Sequence, residues 1–224
     1  MKIVTYCFAV FFILNLSTTQ AACPDYYGTN SDVEKLICSD KELFSLHREF
    51  TKLYESILAS EPEKIAVLEL QKKLLDENLY QCSYDHCVQR AYIQRNFVLS
   101  TLKTPKEKIF GIYKQQVSNC YVDGSCYDDI EDVITVRDES GSIKVEMSLT
   151  FFNGHQCSFG GTAEWLDGIL VAQDDHNEDS ICTIYLYLDG DTIVTEVDPK
   201  TSSICKSYCG LRGSLNGIKV RRAN

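Results

Sequence analysis

Hydrophobic positions follow two different periods along this chain, and the change between them falls near Pro105. Before that point apolar residues recur every three or four positions, as in the series Leu43, Leu46, Phe50, Leu53, Tyr54 and Ile57. This spacing places them on one face of an amphipathic helix. A less strict series covers 65–79, and another runs from about Cys87 to Leu102. The pattern predicts one short helix followed by three longer ones.

Three Ser-x-x-Glu strings support these helices. In such a string the serine side chain accepts a hydrogen bond from a backbone amide at the start of the helix, and the glutamate side chain accepts one from the serine backbone N–H. The strings are Ser31 with Glu34, Ser39 with Glu42, and Ser60 with Glu63. We expect each serine to cap the start of a helix.

Beyond Pro105 the hydrophobic period changes to two. Ile143, Val145, Met147, Leu149 and Phe151 alternate with more polar residues, and turn signals such as Glu139-Ser140-Gly141 and Asp189-Gly190-Asp191 separate this run from similar ones. Such a cadence is typical of β-hairpins. It predicts about eight short strands in a small antiparallel β barrel or sandwich.

The expected fold class is therefore α+β in two domains, with a disulfide-stapled helical bundle at 23–104 and a disulfide-rich β domain at 105–224. Composition supports this boundary, because eleven of the twelve glycines lie beyond it.

The first 22 residues have the features of a secretory signal peptide. A lysine at position 2 and an apolar run from Ile3 to Leu16 precede a small, polar stretch that ends at Ala22. The run is shorter than the ~20 residues that cross a membrane. We expect export to the periplasm or the extracellular space. Cys23 could instead carry a lipid, but Gln20 stands where lipoprotein signals usually have Leu.

Loss of the signal peptide removes Cys7 and leaves ten cysteines, an even number. An even set in an exported chain indicates disulfide bonds. The spacing favours the pairs Cys23–Cys38, Cys82–Cys87, Cys120–Cys126, Cys157–Cys182 and Cys205–Cys209. Four cysteines in the first half allow three connectivities and six in the second allow fifteen, so other pairings stay open.

Negative charge is concentrated in the second half. Residues 105–224 contain 19 acidic and 11 basic side chains, against 13 and 10 for residues 23–104, and the whole chain has a net charge of −10. Such a surface repels nucleic acid and raises the association rate of cationic proteins. The alternative interpretation is solubility alone, since most acidic secreted domains have no cationic target. The charge is compatible with a cationic protein as the partner.

The first half resembles a known family. The string Val33 to Leu43, followed by Leu46, Arg48, Leu53 and Tyr54, is similar to the opening motif of the LprI-type lysozyme-inhibitor domain. The closing motif of that family is also matched in order, by Gln71, then Cys82 and Cys87, then Tyr92 and Arg95, and this too is a resemblance.

The resemblance covers residues 23–104 and implies a helical domain and, as for some members, inhibition of lysozyme. Three positions depart from the family pattern. His47 stands where the family usually has Asp, Leu74 where it usually has Trp, and Asn78 where it usually has Arg.

Two groups of residues in the second half are candidates for contact with a partner. His155 and Arg212 lie in Gly- and Cys-rich strings and would be the polar tips of disulfide-anchored loops that project into a partner's cleft. The acidic residues Asp174, Asp175, Glu178 and Asp179 would present carboxylates to a cationic partner. The alternative interpretation is structural, namely tight turns and a solvated hairpin end. The acidic loop could also hold a calcium ion, but it lacks the order of ligands found in an EF-hand.

The chain contains no Gly-x-Ser-x-Gly, His-Glu-x-x-His, phosphate-binding or dinucleotide-binding motif. His86 beside Cys87 could contribute to a zinc site, but an oxidising compartment favours disulfides. We therefore expect no catalytic residues, metal or cofactor. The hypothesis is an exported protein that inhibits lysozyme or a related peptidoglycan-cleaving enzyme by occluding its cleft. The alternatives are an envelope protein that docks without inhibiting, and a hydrolase that uses a carboxylate pair on cell-wall sugars.

Overall fold

A computed structural model of the protein describes residues 31–151, 154–174 and 181–223. The predicted signal peptide and Cys23 lie outside these residues.

The first part of the described chain is helical. Helix α1 spans Ser31–Ser39, α2 spans Lys41–Ser60, α3 spans Ile65–Tyr80 and α4 spans Asp85–Thr101. One short helix and three longer ones follow the predicted periodicity. None of the described helices is long and apolar enough to cross a membrane.

The start of α2 is capped differently from the prediction. Asp40 has an extended backbone, and its Oδ1 accepts hydrogen bonds from Glu42 N at 2.7 Å and Leu43 N at 3.1 Å. Ser39 is the last residue of α1, and Ser60 is the last of α2, where its hydroxyl donates to Ser56 O. The predicted caps at Ser39 and Ser60 are wrong, because a cap residue must have a non-helical backbone.

Eight strands follow, joined in chain order into one antiparallel sheet. Their bounds are β1 Gly111–Cys120, β2 Cys126–Glu139, β3 Ser142–Phe151, β4 His155–Leu166, β5 Ile169–Asp174, β6 Thr183–Asp189, β7 Thr192–Val197 and β8 Lys219–Arg221. The sheet curls into a nearly closed barrel, because Ala223 N donates to Ile112 O at 2.8 Å and Tyr113 bridges to Arg222. Of the two predicted architectures, the barrel is present.

Apolar side chains fill the barrel. Alternate residues of each strand point inward, and the interior includes Val145, Leu170, Ile184, Leu186 and Ile193, each 0 % exposed. The alternation that predicted the strands therefore also identifies the residues of this core.

The helices cover the outer face of β5 to β7. Tyr185 and Tyr187 of β6 and Val194 of β7 point away from the barrel and pack into one cluster with helical residues such as Leu75 and Val98. The two parts that the sequence separates near Pro105 thus interlock through a common core. The division into two domains at 23–104 and 105–224 stays a prediction.

A buried ion pair joins the helices to the barrel. The guanidinium of Arg95 in α4 bonds to the carboxylate of Glu196 in β7 and donates to Gln71 Oε1 of α3 at 2.6 Å. Arg95 is 0 % and Glu196 4 % exposed. Burial, together with the Glu196 charge, raises the pKa of nearby Tyr187 to about 12.

Four disulfides are described in full. Cys82–Cys87 and Cys120–Cys126 join the cysteines that the spacing favoured. Cys38 is also disulfide-bonded, and its predicted partner Cys23 lies outside the described residues. The remaining bonds are Cys157–Cys209 and Cys182–Cys205, so the predicted pairs Cys157–Cys182 and Cys205–Cys209 are wrong.

Strand register explains this correction. Cys182 lies beside Asp174, whose carboxylate accepts a hydrogen bond from Cys182 N, and Asp174 pairs with Gly161 in β4. Cys157 lies four residues before Gly161 in β4. At about 3.3 Å per residue, this places Cys157 about 13 Å along the strand from the residue that pairs with Asp174. A disulfide needs Cα atoms closer than about 7 Å.

We expect Arg95→Met to lower the free energy of unfolding by about 3–5 kcal/mol, because it leaves the Glu196 carboxylate buried without its cation. The exposed Arg137–Glu146 pair provides the control, since Arg137→Met should cost about 0–1 kcal/mol. Urea unfolding would measure both, and the double variant Arg95→Met/Glu196→Leu should recover much of the loss. Equal effects of the two single variants would contradict this account.

The buried His47 should make the fold sensitive to acid. Its Nδ1 lies 3.1 Å from the Tyr92 hydroxyl, and burial lowers its pKa below the ordinary 6.5. As the pH falls below about 6.5, the unfolded chain binds a proton at His47 before the folded chain does, so folding stability decreases. Urea unfolding at pH 7.5 and pH 5 should show a smaller decrease for His47→Gln than for the wild type. The same decrease in both proteins would exclude His47 as the cause.

Candidate functional site

The connection from β7 to β8 crosses one end of the barrel. This connection, residues 198–218, is called the strap here. It contains helix α5 at Ser202–Cys205, with 3-10 turns on either side at Pro199–Thr201 and Lys206–Tyr208. The last residues of β1, β3 and β5 and the first residues of β2, β4 and β6 lie at the same end of the up-and-down barrel. We call this end the strap end.

The strap is fixed to the barrel at several points. Cys205 bonds to Cys182 at the start of β6, and Cys209 bonds to Cys157 in β4. Tyr208 lies between these disulfides, packs edge-on against Phe159 and is partly buried against the cluster that fills the barrel, of which Cys205 is a member. The middle of the strap is therefore part of the core.

Between Cys209 and the buried Leu215 the strap makes a tight turn. Gly213 N donates to Gly210 O at 2.9 Å, which places Leu211 and Arg212 at the two central positions. Leu211 is 86 % exposed, the highest value among the exposed large hydrophobic residues described. Residues 210–213 are called the strap turn below.

The two glycines of the strap turn permit close contact with the barrel. A Cβ at Gly210 would lie 2.7 Å from Nδ1 of His155, and one at Gly213 would lie 2.6 Å from Sγ of Cys157. Gly210 N also donates to Gln156 O at 2.9 Å. The turn is held directly on the first residues of β4.

This arrangement separates the predicted partner-binding residues. His155 and Arg212 come together at the strap turn, with His155 half-buried beneath Gly210 and Arg212 exposed. Asp175, Glu178 and Asp179 lie outside the described residues.

Asp174 is buried and does not present its carboxylate at the surface. It is 8 % exposed, and its Oδ2 accepts hydrogen bonds from Cys182 N at 2.9 Å and from the Tyr208 hydroxyl at 2.6 Å. Loss of solvation and the Asp174 carboxylate raise the pKa of Tyr208 to about 12. The prediction was wrong for Asp174, because the inward-facing positions of β5 include it and the strap closes over it.

The sequence patterns did not single out Leu211. Its signal is a lone apolar residue at the centre of a Gly-x-x-Gly turn, outside any periodic series. A similar feature lies beside Gly154 at the start of β4, where Tyr121 and Val122 are 44 % and 75 % exposed in the connection closed by Cys120–Cys126. Two disulfide-anchored turns therefore present apolar side chains at this end.

Three residues of the predicted resemblance to the LprI-type family are buried among the helices. Gln71 and Arg95 belong to the buried ion-pair network, and Tyr92 lies beside His47 with 0 % exposure. They hold the helices together and are not placed to touch a partner.

The described residues form no cluster of three or more His, Cys, Asp or Glu side chains that could hold a metal ion. Cys87 is bonded to Cys82 and is not available to zinc. The strap end presents exposed apolar side chains, Leu211, Tyr121 and Val122, on two turns held by disulfides.

No family model, curated protein or solved structure matches this chain. The resemblance of residues 23–104 to the LprI-type family stays a prediction.

We expect Gly213→Ala to lower the melting temperature, because its Cβ would collide with the Cys157–Cys209 disulfide, at a cost of about 1–3 kcal/mol. Gly160→Ala in β4 is the matched control, since a Cβ there meets no atom within 4 Å. Thermal unfolding followed by circular dichroism measures both. Equal melting temperatures for the two variants would show that the strap turn is not tightly seated.

Proposed function

We propose that this is an exported, non-catalytic binding protein that inhibits lysozyme or a related peptidoglycan-cleaving enzyme by placing the strap turn in its cleft. The observation that carries the proposal is the strap turn itself. It is held next to Cys157–Cys209 and exposes Leu211 almost fully.

Rigidity supports an inhibitory role. Binding costs free energy when loops become ordered, and a turn that is already fixed avoids most of that cost. The strap turn is fixed by the disulfide and by the backbone hydrogen bond from Gly210 N to Gln156 O. Leu211 and Arg212 would therefore enter a cleft in one conformation.

The two side chains at the tip suit the cleft of a glycosidase. Such enzymes usually act with two carboxylates that flank the scissile bond. In the proposed complex the Arg212 guanidinium pairs with a carboxylate of the cleft, and Leu211 occupies an adjacent apolar subsite. A guanidinium and a carboxylate can form two parallel hydrogen bonds, which fix orientation as well as charge.

Charge supports the choice of a cationic enzyme. The chain has a net charge of −10, with most of its acidic excess in residues 105–224. Long-range attraction of this kind raises the association rate of a cationic partner. The resemblance to the LprI-type family adds a reason to test lysozymes first.

The test is lysis of a peptidoglycan suspension by C-type, G-type and I-type lysozymes with the oxidised mature protein near stoichiometric concentration. We expect inhibition of at least one class. Leu211→Ser and Arg212→Ser should each raise the inhibition constant about tenfold or more, as expected for central interface residues.

Two exposed residues away from the strap end serve as controls. Ile65→Ser changes an apolar residue at the start of α3, about 22 Å from the end of that helix at Tyr80. Arg221→Ser changes a cation on β8 that pairs with Thr192, the first residue of β7. Both variants should inhibit like the wild type. If the protein slows none of the three classes, the proposal fails, and capture of an envelope component with unchanged muramidase rates would then favour the docking role.

A further inference from the structure

A polar groove of about 450 Å³ lies beside the strap turn, between the helices and the strap. One wall consists of Asn78 and Gln81 from the end of α3 and Gln94 from α4. The opposite wall includes Ser202, Lys206 and Asn216 of the strap. This side groove adjoins the strap turn, whose Leu211 and Arg212 form part of its edge.

The helical wall is made of carboxamides. A carboxamide both donates and accepts hydrogen bonds, so these side chains can pair with the N–H and C=O groups of a peptide, with Gln94 doing so in addition to its hydrogen bond with Tyr187. On the strap side, Asn216 already accepts a bond from Val197 N through its Oδ1, which leaves its NH₂ group as the donor. The groove therefore offers partners to a polypeptide backbone on both sides.

The charge of the side groove is opposite to that of the protein. Lys206 and Arg212 line it, and its one acidic lining residue, Glu196, is neutralised by Arg95 behind it. A local positive site in a chain of net charge −10 selects an anionic group. Lysine and arginine are the usual partners of a carboxylate.

The residues that line the groove favour a peptide carboxylate over a sugar acid. Sugar acids expose apolar ring faces that aromatic side chains cover, whereas none of the described residues that line the groove is aromatic. Its apolar contacts come from aliphatic side chains such as Val197 and Leu215, which suit a peptide side chain. A pocket of this volume is within the range of small-ligand sites, about 300–1,000 Å³.

We infer that the side groove binds the C-terminal end of a polypeptide. The free α-carboxylate lies between Lys206 and Arg212, and the preceding peptide groups bond to Asn78, Gln81 and Gln94. Capture of a C-terminal carboxylate is an established mode of peptide recognition. Arg212 belongs to both proposed sites, whereas Lys206 and the three carboxamides line the groove alone. Peptide binding is measured without any lysozyme, so failure of one proposal is distinguishable from failure of the other.

The test uses N-terminally fluorescein-labelled tetrapeptide pools, randomised at all four positions, in two forms with a free C-terminal acid and with a C-terminal amide. Fluorescence polarisation against the oxidised protein should show saturable binding of the acid pool and at least about tenfold weaker binding of the amide pool. N-acetylmuramic acid, a sugar acid, is the competitor.

Lys206→Gln should weaken binding of the acid pool about fivefold to tenfold. Lys219→Gln on β8 removes an exposed lysine outside the groove and should leave binding unchanged. Both variants should keep the wild-type melting temperature. The inference is overturned if the two pools bind equally or not at all, if Lys206→Gln binds like the wild type, or if the sugar acid displaces the peptide at an equal concentration.

Discussion

The buried contact between Arg95 and Glu196 is the constraint on which the arrangement of this protein depends. A cation and an anion that are both removed from water are stabilised only in each other's presence, and losing either one is costly. The pair therefore fixes α4 against β7, and Gln71 adds α3 through its hydrogen bond to Arg95. The strap begins two residues beyond Glu196, at Asp198, whose carboxylate accepts a hydrogen bond from Tyr185. The start of the strap is therefore fixed next to the contact between the helices and β7.

The barrel and the helices depend on each other through β6. This strand carries apolar residues on both faces, with Ile184, Leu186 and Leu188 inside the barrel and Tyr185 and Tyr187 outside it. A strand of that kind must be covered on both sides, because exposed tyrosine rings would leave a large apolar surface in water. Helices α3 and α4 supply that cover. Burial of the two hydroxyls raises the pKa of each tyrosine, so both stay neutral and bonded across the pH range in which proteins fold.

Two disulfides fix the strap on the barrel. A segment of the length of the strap would otherwise sample many conformations, and ordering it would cost free energy at each binding event. Its attachment to β4 and β6, with Tyr208 packed against the barrel core, fixes the position of the strap turn and its exposed Leu211. The same attachment forms the second wall of the side groove. Both proposed binding features therefore follow from where two cysteine bonds and one tyrosine hold the chain.

The periodicity of apolar residues determined by itself the helices, the strands and most of the inward-facing positions, because these patterns depend on neighbours a few residues apart. Short-range disulfides such as Cys82–Cys87, five residues apart, were within reach of the same reasoning. Only the tertiary structure decided the pairing of Cys157 with Cys209, 52 residues away, since it depends on strand register and on the path of the strap. The burial of Asp174 and the exposure of Leu211 were decided in the same way, because the strap covers one residue and projects the other, and no local pattern records which surface a distant segment will cover.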